Sequence, residues 1–272
     1  MRPGGFIARS TQAVVLAMAH AMDAEELAKE SGLLQRLDPR VKMVGLTGLI
    51  IAAAVSRTIS VIGCIFAGAI VLSVLSRVPA SLLAKRVWIP ILLFTAVIAT
   101  PALFTTPGQP LATFPFTTLI VTEQGSRAAA YLVARTETAA TLALLLVLCT
   151  PWTHLLKALR SFRLPVTLVV ILGMTHRYIY LLLDTARDMF DSRKSRTVGV
   201  LTPAEQRRIA TRTAGVLMDK SLRLSNDVYL AMRSRGFTGE VRTLSEFKMK
   251  AADYLALGVS ASLCAAAFWA GR

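Results

Sequence analysis

Acidic residues, cysteines and aromatic residues are all scarce in this chain. It has 272 residues, with 16 Asp+Glu against 31 Lys+Arg, three cysteines and 7% aromatic residues. Three cysteines exclude a secreted disulfide scaffold, and basic residues that flank apolar blocks without interleaved aromatic residues argue against a nucleic-acid partner. The net charge of +15 therefore favours a membrane surface or a cytosolic protein as the partner. The sequence contains no Gly-Lys pair and hence no Walker A phosphate loop.

Residues that could bind a metal ion are few and isolated. The cysteines each lie alone in an apolar stretch: Cys64, Cys149 and Cys264. We expect them to be small apolar packing residues. The histidines are far apart: His20, His154 and His176. Because none has a carboxylate or cysteine neighbour at ligand spacing, the sequence predicts no metal site in this chain.

Long apolar blocks, in contrast, are abundant. The chain is 54% hydrophobic with a positive mean hydropathy. Blocks that approach or reach the length needed to cross about 30 Å of hydrocarbon occur at residues 41–56, 59–75, 87–104, 128–150 and 251–269. We therefore predict an all-α membrane protein with about five transmembrane helices plus cytoplasmic and interfacial helices. Its predicted parts are an N-terminal cytoplasmic or interfacial segment (1–37), a four-helix membrane region (38–150), the cytoplasmic and interfacial helices (151–250) and a C-terminal transmembrane helix (251–272).

The distribution of basic residues predicts the orientation. Only Arg57-Thr58 joins the first two blocks, whereas the next connection carries Arg77, Lys85 and Arg86 and no acid. Under the positive-inside rule this second connection is cytoplasmic, which places residues 105–127 outside and the N-terminus and residues 152–164 inside. Residues 11–29 have an apolar run too short to span and no convincing cleavage site, so we expect a helix at the membrane surface and no signal peptide.

A further apolar run, at residues 165–175, conflicts with this topology. It is preceded by basic residues, and residues 184–250 after it carry 14 basic and eight acidic residues. Because both flanks favour the cytoplasm, a single crossing cannot satisfy them. We expect a buried or interfacial helix packed under the bundle, the alternative being a short sixth span with His176 and Arg177 at its polar end.

Two amphipathic helices are predicted between residues 178 and 236. The first carries an apolar stripe formed by Tyr178, Leu181, Leu182, Thr185 and Met189. The second begins at Thr202-Pro203-x-Glu205, a capping signal, and runs to about Arg235. One side of it carries Leu217, Leu224, Val228 and Met232. Gly236 fits a left-handed residue just beyond the helix end.

The two helices end in related tripeptides, Ser195-Arg196-Thr197 and Ser234-Arg235-Gly236. An arginine at a helix end can present a rigid fork of donors to carboxylates or carbonyls of a partner protein. Alternatively, each arginine only complements the negative end of its own helix, worth about 0.3–1 kcal/mol. Because the pattern occurs twice, we favour docking.

Arg135 and Glu137 interrupt the fourth apolar block. Ionisable residues within a membrane segment mark a functional site by default, so they could form a polar face for a membrane partner. The alternative is that both lie near the outer headgroups, with residues 138–150 as the apolar part of the span.

Several of these motifs are typical of one family. The chain resembles, over residues 144–199 and 220–236, the transmembrane T component of energy-coupling factor (ECF) transporters, and most closely the CbiQ type of cobalt and nickel importers. The motifs are Leu37-Asp38-Pro39-Arg40-Val41-Lys42, Thr150-Pro151-Trp152, Leu156-Lys157-Ala158-Leu159, Leu164-Pro165, Arg177-Tyr178, Asp184, Ser192-Arg193-Lys194-Ser195-Arg196 and Met232-Arg233-Ser234-Arg235-Gly236-Phe237.

The resemblance implies a coupling subunit in the cell (inner or plasma) membrane. In the family, two Ala-Arg-Gly motifs end helices that sit in grooves of two ATPase subunits, which carries over to Arg196 and Arg235. Here Ser195 and Ser234 replace alanine, and Thr197 replaces the first glycine. Since threonine disfavours positive φ, the first helix end should differ from the family geometry.

The implied partners are two CbiO-like ATPases that bind ATP, a CbiM-like substrate-binding membrane subunit and a small CbiN-like subunit. The chain itself needs no cofactor.

Three other functions stay open. T subunits of vitamin importers share the helix-end motifs, so the cargo rests on the resemblance. Asp184, Ala186-Arg187, Asp188 and Asp191 faintly resemble the Mg²⁺-binding motif of CDP-alcohol phosphotransferases, but the motif's glycine and later aspartates are missing at the required spacing. A purely structural membrane scaffold would leave the two arginine-ended helices without a use.

Overall fold

The computed structural model describes residues 12–13, 16, 27–28, 32–105, 110–113, 120–197, 201–238, 249 and 251–271. The predicted surface helix at residues 11–29 lies mostly outside this part of the chain. The described residues fall into two compact units, one formed by 32–158 with 249 and 251–271, the other by 159–238. Both units are helical, which confirms the predicted all-α class.

The first unit contains the helices α1 (Leu33–Arg36), α2 (Pro39–Val55), α3 (Ile59–Leu75), α4 (Ala80–Leu83), α5 (Ile89–Thr105), α6 (Glu123–Leu148), most of α7 (Trp152–Ser161) and α10 (Ala251–Ala270). A π-helical turn, Ala84–Trp88, joins α4 to α5. Pro90 follows this turn and has no N–H for the carbonyl of Arg86, so the regular hydrogen-bond ladder cannot continue there. The predicted hairpin tip between α2 and α3 is confirmed, since Ser56, Arg57 and Thr58 alone connect them.

Two short strands lie between α5 and α6. β1 (Pro110–Thr113) pairs antiparallel with β2 (Ile120–Thr122), so that Thr113 lies opposite Ile120, with an irregularity between Pro110 and Ala112. The pair lies within the connection that we predicted to be outside the membrane. The sequence analysis did not predict this strand pair.

α6 is the central helix of this unit, because it packs against α2, α3 and α5. Leu142, Leu145 and Leu148 on α6 are fully buried. α10 packs on the other side of α2, where the backbones approach closely. A Cβ added at Gly45 would lie 3.0 Å from Ser260 Oγ, and one at Gly48 would lie 3.2 Å from Cys264 Sγ. Small residues are therefore required where α2 meets α10.

Four helical segments in the described ranges are long and apolar enough to cross a membrane: Ala80–Pro101, Glu123–Leu148, Val166–Arg196 and Ala251–Ala270. Three of them coincide with the predicted spans at 87–104, 128–150 and 251–269. The predicted span 59–75 forms the apolar helix α3, which is shorter at 17 residues. The predicted span 41–56 forms α2, also of 17 residues and about 26 Å long, which does not reach the same length and apolarity.

The second unit contains α8 (Val166–Arg196) and α9 (Pro203–Ser234). As expected, the apolar run at 165–175 continues without a break into the amphipathic segment, and both lie in α8. The apolar window of α8 contains no buried residue, so an interfacial helix and a short span are the two expectations that stay predictions. α8 has the length and apolarity of a membrane span. It is long because nothing interrupts its hydrogen-bond ladder before Thr197.

Candidate functional site

Side-chain hydroxyl groups donate hydrogen bonds to backbone carbonyls at the end of α8. Thr197 follows the helix with φ −95° and ψ 119°, an extended conformation, and its Oγ1 donates to the carbonyl of Arg193 at 2.8 Å. Ser195 Oγ donates to the carbonyl of Ser192 at 2.8 Å. The expected departure from a left-handed terminator is therefore present, and a side-chain hydroxyl satisfies a carbonyl that the last turn leaves free.

The end of α9 has the geometry that the sequence predicts. Gly236 has φ +77°, in the left-handed region. Its N–H donates to the carbonyl of Arg233 at 3.0 Å, and the N–H of Phe237 donates to the carbonyl of Met232 at 3.1 Å. These two bonds define a Schellman motif, with Arg235 as the last half-helical residue. The backbone thus fixes the direction in which Arg235 leaves the helix.

Both arginines are exposed at these ends. The neighbouring residues are exposed as well, except for the half-buried Thr197: Ser195, Ser234 and Gly236. Arg193 and Lys194 add positive charge to the last turn of α8, as Arg233 does on α9. The structure records no ion pair of Arg196 or Arg235 with any residue that it describes. The two helix ends therefore present cationic tips whose guanidinium groups are available to an acidic or carbonyl-rich surface.

α8 and α9 contact each other over a short stretch of their length. Lys220 Nζ on α9 lies 3.1 Å from Thr185 Oγ1 on α8, and Ala186 next to it is buried. The predicted stripe of α9 is half-buried along its whole length: Leu217, Leu224, Val228 and Met232. The capping box at its start is also confirmed, with Glu205 Oε2 accepting from the N–H of Thr202 at 2.8 Å. This hydrogen bond lowers the pKa of Glu205.

A second apolar surface lies on α9 outside this stripe. Its members recur at helical spacing and are more than half exposed: Met218, Leu222 and Tyr229. The guanidinium carbon of Arg233 lies 5.9 Å above the ring of Tyr229, a cation–π geometry. We call these three side chains the exposed α9 face. Exposed apolar side chains beside a cationic helix end are typical of a protein-binding surface.

A buried polar cluster ties three helices of the first unit together, and the sequence analysis missed it. Lys42 on α2 is 3% exposed, and its Nζ donates to the carbonyl of Cys149, at the end of α6, at 2.9 Å. The N–H of Asp38 donates to Asp253 Oδ1 on α10 at 2.8 Å, and both carboxyl groups act electrostatically on Lys42. The sequence feature that could have revealed this cluster is Lys42 itself, because a lysine one turn inside an apolar helix requires a hydrogen-bonding or charged partner.

Arg135 lies at the opposite end of α2. Its Nη2 donates to the carbonyl of Ser56 at 2.8 Å, and Tyr131, one turn away, donates to the carbonyl of Arg57 at 2.7 Å. The N–H of Arg57 donates to the carbonyl of Gly271. Arg135 thus holds the hairpin tip, whereas Glu137 faces a different, apolar environment between α3, α5 and α6.

The acidic residues that a phosphotransferase would require do not form a common metal-binding site in the described part of the chain. Asp184, Asp188 and Asp191 are exposed on α8, and Asp191 pairs with Arg187 at 3.7 Å. Within the described ranges no three His, Cys, Asp or Glu residues are grouped so that they could hold a metal ion. The arrangement that the phosphotransferase-like reading requires is therefore not present in this part of the chain.

The isolated histidines and cysteines have mixed environments. Burial lowers the pKa of His154, the positive charges of Lys157 and Lys42 lower it further, and Asp38 opposes the shift. His176 packs edge-on against Tyr180, while His20 lies outside the described residues. Among the cysteines, Cys149 is buried and Cys264 half-buried, as expected. The expectation for Cys64 was wrong, because α3 exposes it.

Comparisons with known proteins give consistent results. The model of the CbiQ family of cobalt transport proteins matches residues 30–245. An uncharacterised protein of Methanocaldococcus jannaschii is 31% identical over 232 residues, which cover 84% of this chain and 80% of that protein. The cobalt transport protein CbiQ of Rhodobacter capsulatus is 30% identical over 148 residues, which cover 54% of this chain and 59% of that protein.

Proposed function

The chain belongs to the CbiQ family of cobalt transport proteins, and we propose that it is the transmembrane coupling (T) subunit of an ECF-type importer. In this role it transmits ATP-driven motion of partner ATPases to a substrate-binding membrane subunit. The cargo is cobalt or nickel, and the chain itself holds neither the ion nor ATP. Its N-terminus lies in the cytoplasm, on the side where the ATPases bind.

One observation carries this proposal. Two helices of more than 30 residues end in exposed arginines, Arg196 and Arg235, at sites whose geometry is fixed by hydrogen bonds. An arginine that projects from a rigid helix end can enter a groove of a partner and bind carboxylates or carbonyls there. Two such ends match two ATPase subunits. We expect the exposed α9 face to pack against the second ATPase and to supply apolar contact area.

The arrangement also explains how motion could pass between the subunits. α8 and α9 are long, continuous helices, about 46 and 48 Å at 1.5 Å per residue. A displacement of either end would move the helix as a whole, because its backbone hydrogen bonds resist bending. The Lys220–Thr185 contact lies where the two helices meet, so a tilt of one helix is felt by the other.

The membrane role agrees with the family and with the four apolar helical segments, so the chain is a membrane protein. The assignment of partners is the finer claim. We name two CbiO-like ATPases, a CbiM-like substrate-binding subunit and a small CbiN-like subunit. Each of these can be tested separately by co-expression.

The test reverses the charge of both arginines. We expect Arg196→Glu combined with Arg235→Glu to remove the ATPases from the purified chain while the chain itself stays inserted in the membrane. The matched control is Arg208→Glu combined with Arg212→Glu, which changes the net charge equally at two exposed positions in α9 away from its end. ATPase binding and ion uptake that survive the first pair would contradict the docking role. Equal losses of ATPase binding with both pairs would mean that the effect comes from the change in net charge and not from the two helix ends.

A further inference from the structure

Glu137 is an acid without a partner in the middle of an apolar helix. It lies near the centre of the 26-residue helix α6 and is 7% exposed. Neither of its carboxyl oxygens has a hydrogen-bond partner among the described residues. Its neighbour Arg135 is engaged with the carbonyl of Ser56 at the hairpin tip. An ionisable group at such a position is costly unless another group satisfies it.

The carboxyl group lines a cavity of about 410 Å³ in the first unit. The remaining lining is apolar apart from Thr138 and comes from α3, α5, the π-helical turn and α6 itself, and it includes Ile62, Gly63, Phe66, Trp88 and Leu92. Ile59 and Leu92 are about half exposed, so the cavity opens onto the surface of the unit. The cavity has room for a few side chains but not for a whole helix.

The residues that line the cavity determine which kind of group can bind there. A metal ion requires several ligands, and Glu137 is the one carboxylate in the lining. The apolar walls fit aliphatic or aromatic side chains, and the carboxyl group fits a hydrogen-bond donor or a cation. Both features occur together on a transmembrane helix that carries one donor side chain among apolar ones, and interhelical hydrogen bonds of this kind join membrane helices.

We propose that this cavity, which we call the Glu137 cavity, is the docking site for a transmembrane helix of the substrate-binding membrane subunit, which places a hydrogen-bond donor against the Glu137 carboxyl group. The proposal rests on the proposed function for the existence of that subunit. It adds where the subunit binds and which chemistry recognises it. The unsatisfied carboxyl group lowers the stability of the isolated chain, and docking supplies its partner.

Gly63 offers a way to block the cavity without touching the carboxyl group. A Cβ added at Gly63, which lines the cavity, meets nothing within 4 Å, so there is open space where a larger side chain would begin. Gly68, on the same helix, is equally open but lines a different cavity, between α2, α3 and α10. Gly63→Leu and Gly68→Leu are therefore matched variants that fill different cavities.

The first experiment co-expresses the chain with the two ATPases and the CbiM-like subunit and measures how much of each is retained. We expect Glu137→Leu and Gly63→Leu to lower retention of the membrane subunit at least tenfold while the ATPases stay bound. Gly68→Leu and Glu123→Gln, a surface acid at the start of α6, should retain both. Retained ATPases show that the variants fold. Full retention of the membrane subunit by Glu137→Leu and Gly63→Leu would overturn the inference, as would loss caused by Gly68→Leu alone.

The second experiment uses dicyclohexylcarbodiimide, an apolar reagent for carboxyl groups within membranes. In lipid nanodiscs, Glu137 should be labelled in the isolated chain and protected at least tenfold in the complex, with Glu137→Gln as the unlabelled reference. Equal labelling in both states would contradict docking at this site. Protection already complete in the isolated chain would mean that lipid fills the cavity, which also overturns the inference.

The two proposals can fail independently. If the wild-type chain binds no ATPase, the proposed function fails, whatever the behaviour of Glu137. If the wild-type chain binds the ATPases and the membrane subunit, and the cavity variants do the same, the proposed function stands and the docking site is wrong.

Discussion

Substituting Gly236 tests whether the geometry of the α9 end matters for docking. Gly236 has φ +77°, a conformation that costs a residue with a side chain about 1–2 kcal/mol. A Cβ at this position meets nothing within 4 Å, so no steric clash adds to this cost. Gly236→Ala should therefore destabilise the Schellman end by about 1–2 kcal/mol, a factor of roughly 5–30 in the population of the native helix end.

The assay is the affinity of the detergent-purified chain for its partner ATPase. Since only the native end directs Arg235 as required, we expect Gly236→Ala to weaken binding by up to that factor, with Arg235→Ala weakening it at least as much. The control is Gly215→Ala within α9, also open around its Cβ, where alanine should stabilise the helix by about 1 kcal/mol. Unchanged affinity for Gly236→Ala, or an equal loss for Gly215→Ala, would refute the reasoning.

Three further predictions concern stability, each measured as the free energy of unfolding in detergent. Lys42→Met leaves the carbonyl of Cys149 without its donor and removes a cation that acts on the buried carboxyl groups of Asp38 and Asp253, so it should cost about 3–5 kcal/mol, against less than about 0.5 kcal/mol for the exposed Lys85→Met. Arg163→Gly removes a residue with φ 62° and should stabilise by up to about 1 kcal/mol, whereas Arg160→Gly inside α7 should destabilise. His154 has a pKa below its ordinary value of 6.5, so the unfolded chain takes up a proton first as the pH falls. The stability that neutral His154 contributes is fully present above pH 6.5. It should be lost as the pH falls through the pKa of His154 in the folded chain, and His154→Gln should make stability less dependent on pH in this range.

A different result would contradict each of these predictions. Equal stability of the Lys42→Met and Lys85→Met variants would mean that the buried ammonium is dispensable. A destabilised Arg163→Gly variant would show that the arginine side chain contributes more than its backbone strain costs. The same pH dependence with and without His154 would assign the acid sensitivity to other groups.

Local signals in the sequence predict the ends of α9 correctly. Thr202 and Glu205 are three residues apart and satisfy each other's backbone groups, and Gly236 supplies a positive φ directly after the helix. Such patterns are readable because all partners lie within one or two helical turns. The hairpin between α2 and α3 is readable for the same reason, since two long apolar blocks leave only a short polar link.

Contacts between distant residues could not be predicted in this way. Lys42 and Cys149 are 107 positions apart, and nothing in either segment identifies the other as its partner. The position of residues 165–175 relative to the membrane could not be predicted either, because the basic flanks favour the cytoplasm whereas α8 has the length and apolarity of a span. The helix-end arginines were found, but their docking remains a proposal that only a partner can test.

The most direct test of the coupling role is to purify the tagged chain from its native membranes in mild detergent and to identify the accompanying proteins by mass spectrometry. We expect to recover an ATPase with a Walker motif together with a second integral membrane protein, and we expect the Arg196→Glu, Arg235→Glu variant to lose the ATPase while it retains the membrane protein. Recovery of the wild-type chain without any ATPase in several mild detergents would contradict the coupling role.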